Sequence, residues 1–193
     1  MEIGVFEWYL IGINILGFIL FGINNFLYAR NAEQTIDTAL TIVSILGGSV
    51  GIFLFTILFD RKAVKENMMS RVFLVSIMII QIVAYLFFRG FRATTITFAF
   101  LEFFDAHPLL VTYLLAINVI TLIAFGLDKI KAVEGRNRIR ILTLLGLAFV
   151  GGSIGALIGM YAFRHKTRMD YFTVGVPLIL VMQVVVIFYL MNL

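Results

Sequence analysis

The polar side chains that interrupt this apolar sequence recur in pairs. Asn14 and Asn118 stand 104 residues apart, as do Ser49 and Ser153, and Gln81 and Gln183 stand 102 apart. Amides and hydroxyls in apolar surroundings have two uses. They hydrogen-bond one helix to another, with glycines allowing close approach, or they line a small site together with exposed carbonyls. On the first reading Gly47, Gly48, Gly51, Gly151, Gly152 and Gly155 are packing positions. On the second, Asn14, Ser49, Gln81, Asn118, Ser153 and Gln183 line a path for an ion or small solute. A further group is charged. Asp128 and Lys129, and separately Arg164, His165, Lys166 and Arg168, suit an anion or lipid headgroup. The competing account is a set of solvated helix ends obeying the positive-inside rule. His165 stands among cations that disfavour its protonated form, which suits a general base. No nucleophile or cofactor loop accompanies it, so no catalytic residue is assigned and a non-enzyme is expected. Cysteine is absent, and His107 and His165 are too far apart for a zinc motif, so neither metal nor cofactor is expected. Glu102, Asp105 and His107 read as solvated linker residues.

The elements that must position these groups are membrane helices. With 62% hydrophobic and 13% charged residues, the chain lacks the polar surface of a soluble domain. Its apolar runs approach the roughly 20 residues that cross a bilayer. Six are expected, near 5–28, 38–59, 72–88, 109–127, 141–163 and 172–191. The start carries Glu2 and Glu7 without a cleavage pattern, so the first helix is expected to persist. Trp8 and Tyr9 suit the membrane interface.

The spacing of 104 also carries Gly47, Gly48, Ser49 and Gly51 onto Gly151, Gly152, Ser153 and Gly155, and Ile13, Phe21, Gly22, Phe59 and Lys62 onto Ile117, Phe125, Gly126, Phe163 and Lys166. A single ungapped register of this length indicates an internal duplication. The expected units are residues 1–92 and 109–193, joined by an interfacial linker, 93–108, carrying Phe98, Leu101 and Phe104. With three crossings per unit, the copies enter the bilayer in opposite senses, giving an all-α protein of two inverted three-helix repeats. Straight crossings place nine Lys and Arg on the side of the termini and six opposite. That balance puts both termini in the cytoplasm, with the protein in the cytoplasmic (inner) membrane.

The second copy carries a resemblance. Asn118, Asp128-Lys129, Arg138-Ile139, the run Gly151–Ala156, the run Phe163–Thr167 and Phe172 occur in the order and spacing of the domain of unknown function 1294 family. The match covers residues 114–183. It implies a membrane unit of about three helices and no established activity; some family members are fused to a cold-shock domain. Arg140 and Ile141 stand where the family pattern has Pro-Glu. The first copy resembles the family in degenerate form, with Asn24-Asn25 for Asp-Lys and Asp60-Arg61-Lys62 for Arg-His-Lys.

The expected function is a small transporter or channel with a polar midplane site. The alternative is a non-enzymatic scaffold that binds anionic lipid at its basic helix ends. Expected partners are the bilayer with its anionic lipids, a small solute or ion, and a second copy of the chain, without nucleic acid.

Overall fold

The computed structural model describes residues 4–29, 37–61 and 67–193. Glu2, Arg30, Lys62 and Lys65, used in the sequence reading, lie outside the described residues. The fold is all-helical among the described residues, and six segments are long and apolar enough to cross a membrane: Val5–Tyr28, Asp37–Phe59, Met68–Phe88, Pro108–Val133, Ile141–Ala162 and Asp170–Met191.

The helices are α1 (Val5–Ala29), α2 (Asp37–Val43), α3 (Ser49–Phe59), α4 (Met68–Phe88), α5 (Phe100–Ala106), α6 (Pro108–Val133), α7 (Ile141–Leu147), α8 (Ser153–Ala162), α9 (Asp170–Thr173) and α10 (Gly175–Met191). Pro108 opens α6, where its missing N–H costs nothing. Asp170–Met191 is interrupted at Val174 between α9 and α10, and two other segments contain a π-helical turn. A π-helical turn, Ser44–Gly48, separates α2 from α3, and another, Ala148–Gly152, separates α7 from α8. Inside these turns Gly47 has φ 116° and Gly151 φ 125°, a left-handed backbone that glycine alone adopts cheaply.

Each break reverses the chain. A continuous helix over the fifth segment would hold its ends about 33 Å apart at 1.5 Å per residue. Instead Ile139, just before α7, and His165, just after α8, both bond the carboxylate of Asp128 on α6. The bonds Gly155–Asn118 and His165–Asp128 share a spacing of 37 residues, so α8 runs alongside α6 in the same direction. The first copy repeats this: Tyr9 bonds Leu46 and Gly51 bonds Asn14, again 37 apart. The segments α2–α3 and α7–α8 are therefore helical hairpins that enter from one end of the bundle, turn beside the first third of α1 and α6, and leave by the same end.

This corrects the expected topology. Each copy has two crossings and one hairpin, an even number of passages, so the second copy keeps the orientation of the first. The expectation of inverted repeats rested on three straight crossings per copy. The helices α4 and α10 confirm a parallel relation, since they pack with Val72 beside Gly175 at their starts and Phe87 against Phe188 near their ends. Parallel copies are related by an axis along the membrane normal rather than one in its plane. Glu7, Arg89, Thr97 and Asn192 gather at the terminal end through the ion pair Glu7–Arg89 and the bonds between Thr97 and Asn192. At the opposite end lie Arg61, Arg71, Lys129, Lys131, Arg136, Arg138, Arg140, Arg164, Lys166 and Arg168, ten of the twelve described Lys and Arg, against Arg89 and Arg92.

Packing is uneven. The second copy holds a buried cluster in which Phe125, Leu144, Met160, Phe172, Val176 and Ile179 are fully enclosed, whereas among the described residues the cluster of the first is Leu40, Ile52 and Leu74. The linker contains α5, whose Leu101 stays exposed, and Phe98 stacks on Phe188.

Candidate functional site

Breaking a helix inside a bilayer frees carbonyls that lipid cannot satisfy, so such backbone persists only where the protein itself bonds it. The paired polar residues do this. In the second copy Gln183 donates to Ala148 O (2.7 Å) and Phe149 O (3.0 Å), Tyr113 to Val150 O, and Asn118 to Gly151 O (2.9 Å). The acceptor of Asn118 takes the N–H of Gly155 at 2.6 Å, and Ser153 donates to Gln183. In the first copy Gln81 donates to Ser44 O and Ile45 O, Tyr9 to Leu46 O, Asn14 accepts from Gly51, and Ser49 donates to Gln81.

Asn14, Ser49, Gln81, Asn118, Ser153 and Gln183 are thus brought together as two hairpin tips, one in each copy. Among the glycines, Gly47 and Gly151 make the reversals. Gly51 and Gly155 let α3 and α8 lie on α1 and α6 so closely that a Cβ would overlap the carbonyls of Asn14 and Asn118. Gly48 and Gly152 are similarly crowded, by Val43 and by Thr121 and Leu147. The sequence reading missed the two tyrosines as members of the tips. Tyr9 was assigned to the interface, although Tyr9 and Tyr113 share the same 104-residue register.

The second constellation lies at the foot of the α7–α8 hairpin, at the basic end. Asp128, on α6, is fully buried. Its Oδ1 accepts the N–H of Ile139 at 2.8 Å; its Oδ2 meets His165 Nε2 at 2.8 Å, Lys166 Nζ at 3.0 Å and Arg138 at 3.8 Å. One carboxylate therefore ties both feet of the hairpin to α6. The turn that delivers His165 and Lys166 is strained: Arg164 has φ 46° and Lys166 φ 63°. Such conformations persist where surrounding contacts over-determine them, here the Asp128 carboxylate and the Phe172 ring 4.8 Å from the Lys166 ammonium. Burial pushes the Lys166 ammonium below its ordinary value, against the opposing pull of Asp128.

Above this anchor sits a cavity of about 480 Å³ lined by Arg138, Arg164, His165, Lys166, Arg168 and Met169. Arg138, Arg164 and Arg168 remain exposed, whereas Lys166 is committed to Asp128. Lys129, expected to share the site, is half-buried on α6 and makes no ion pair among the described residues. His165 is not a lone histidine among cations, as the sequence reading had it, because Asp128 holds one of its ring nitrogens. Among the described residues no cluster of His, Asp and Glu is arranged to hold a metal ion.

The first copy closes its foot differently. Asn24 takes the place of Asp128 and donates to Asp37 at 3.0 Å, with Tyr28 also donating to Asp37 at 2.7 Å. Among the described residues, the first copy thus shows an Asn–Tyr–Asp hydrogen-bonded group at the place where the second copy has the Asp128 cluster.

Residues 118–172, which span the hairpin and the cluster, match the family model described as a protein of unknown function (DUF1294). The chain is also similar to a Bacillus subtilis protein described as "Uncharacterized protein YsdA", with 39% identity over 79 residues, covering 41% of this chain and 89% of the relative. The relative is accordingly about as long as one copy. No solved structure matches.

Proposed function

The chain belongs to the DUF1294 family of proteins of unknown function, and we propose that it is a multi-pass membrane protein that binds anionic headgroups in the cavity bounded by Arg138, Arg164 and Arg168. The observation that carries this reading is the division of labour at the basic end. Asp128 neutralises the buried Lys166 and fixes the hairpin foot, which leaves three guanidinium groups around a cavity at the depth where an apolar bundle ends. Guanidinium groups pair with phosphate through planar, two-pronged hydrogen bonds, and a bilayer supplies phosphate at that depth. The proposed role is binding and organisation, not catalysis. The carboxylate that holds His165 is shared with the Lys166 ammonium, which favours a structural role for the pair.

The charge distribution supports an orientation opposite to the one drawn from straight crossings. With ten described Lys and Arg at the basic end and two at the terminal end, the positive-inside rule favours a cytoplasmic cavity, with both termini on the far side of the cytoplasmic membrane. The test of binding is retention of acidic lipid through detergent purification, read by native mass spectrometry. An Arg138→Gln/Arg164→Gln/Arg168→Gln variant should lose lipid that the wild type keeps. Equal retention by the two would sink the proposal.

One observation favours the second reading, transport: hairpins broken at mid-membrane are a recurrent construction of carriers. Against it, the tip carbonyls and amides already bond one another. Solute flux into proteoliposomes that falls in an Asn118→Leu/Ser153→Ala variant which still folds would restore this reading.

A further inference from the structure

The two copies differ most where the hairpin meets the last helix of each unit. In the second copy this space is closed: Phe172 on α9 stands edge-on against Phe125, and Met160 and Val176 join it, all three fully buried with Phe125. Counted back from Gln81 as from Gln183, the residue at the place of Phe172 is Ser70, which is exposed. In the 104-residue register the place of Met160 is taken by the smaller Thr56. The result is an open groove of about 510 Å³ between α3 and α4, lined by Phe53, Thr56, Ile57 and Leu74, with Arg61 and Arg71 at one end.

We propose that this groove is a seat for an acidic phospholipid, with one acyl chain lying where Phe172 lies in the other copy and its phosphate against Arg61 and Arg71. Two features select this occupant. First, the groove is amphipathic along its length. Phe53 lies eight residues from Arg61, about 12 Å at helical rise, so apolar walls lead from the interior of the span to guanidinium groups at its edge. A membrane lipid has that same order, with an apolar tail and an anionic head at the interface. Second, the charged end is held in place. Arg71 is gripped by both the carboxylate (3.1 Å) and the carbonyl of Asp60, and Arg61 donates to Ile57 O at 2.7 Å, so both point from the ends of α3 and α4 toward the same mouth. Among the described residues, two arginines face one aspartate at this mouth, a net positive charge that favours an acidic lipid over a zwitterionic one. This seat shares no residue with the cavity around Arg138, and its failure leaves that proposal standing.

The test copies the second unit's own solution. Thr56→Met fills the groove as Met160 does, without adding or removing charge. In full-length protein from bilayers of phosphatidylglycerol and phosphatidylcholine, native mass spectrometry should show Thr56→Met retaining one acidic lipid fewer than wild type. Unchanged lipid number in the folded variant overturns the proposal. If Thr56→Met fails to fold, Phe53→Trp in a Trp8→Phe background gives a second reading. Its fluorescence should be quenched several-fold more strongly by brominated phosphatidylglycerol than by brominated phosphatidylcholine at equal mole fraction, and Arg61→Gln should abolish that preference. Equal quenching by the two lipids overturns the proposal, because the groove then takes any neighbouring chain.

Discussion

Asp128→Asn isolates the charge of the hairpin anchor from its shape. The asparagine fits, because Asn24 occupies the same place in the first copy, and its side-chain oxygen can still accept the Ile139 N–H that now bonds Asp128 Oδ1 at 2.8 Å. What disappears is the negative charge facing Lys166 at 3.0 Å and His165 at 2.8 Å, with Asp128 itself fully buried and the Lys166 side chain only 3% exposed. Removing one member of a buried ion pair strands the other, at a cost of about 3–5 kcal/mol. Replacing both members by neutral groups is much less harmful, so Asp128→Asn/Lys166→Met should lie within about 1.5 kcal/mol of wild type. The assay is equilibrium unfolding in mixed micelles, followed by far-ultraviolet circular dichroism, for the wild type, both single variants and the double variant. The expected coupling between the sites exceeds about 2 kcal/mol. Additive single effects, or an Asp128→Asn variant within about 0.5 kcal/mol of wild type, would refute the assignment of Asp128 as a charge anchor.

Three further outcomes follow from the same geometry. Gly155→Ala places a methyl group against the Asn118 carbonyl and should destabilise by roughly 3 kcal/mol, whereas Gly146→Ala, with no other atom within 4 Å of its Cβ, should be neutral or stabilising by up to about 1 kcal/mol in the same unfolding assay. Gln183→Leu removes the side-chain bonds to the carbonyls of Ala148 and Phe149 and should cost roughly 2 kcal/mol, measured in the same way. Burial holds Lys166 below its ordinary value of 10.5, so between that lowered value and 10.5 the unfolded chain binds more protons than the folded one. Stability should therefore rise with pH across that window and stay flat below it, and Lys166→Met should remove the rise in thermal melts.

The six apolar segments were legible from hydropathy, and their bounds agree with the helices to within a few residues. The 104-residue spacing was legible too, and it now has a physical meaning: each repeated amide, hydroxyl and double glycine belongs to a hairpin tip. The reversal itself was hidden, because hydropathy reports how apolar a segment is and not whether it runs straight. Ser44-Ile45-Leu46-Gly47-Gly48 reads equally well as a flexible stretch of a crossing helix. The weak charge asymmetry of nine against six was the one available warning, since folding the second and fifth segments back turns it into a strong one. The same assumption of straight crossings put Asp128 and His165 on opposite faces of the membrane, so their hydrogen bond could not be foreseen although both residues had been singled out. Arg138, which borders the cavity, was legible only as part of the Arg138-Ile139 family pattern and of a basic loop, and neither pointed to a cavity.

The most direct test of the account is the side of the membrane on which the two feet of the α7–α8 hairpin emerge. The chain contains no cysteine, so single cysteines at Asn137, Thr167 and Thr95 can be labelled one at a time with a membrane-impermeant maleimide in intact cells and in inverted vesicles. With the hairpin feet in the cytoplasm, Asn137→Cys and Thr167→Cys react only in inverted vesicles and Thr95→Cys only in intact cells. Labelling of Asn137→Cys and Thr167→Cys from opposite sides would mean that the segment crosses the bilayer, and would contradict the hairpin and the basic cavity built on it.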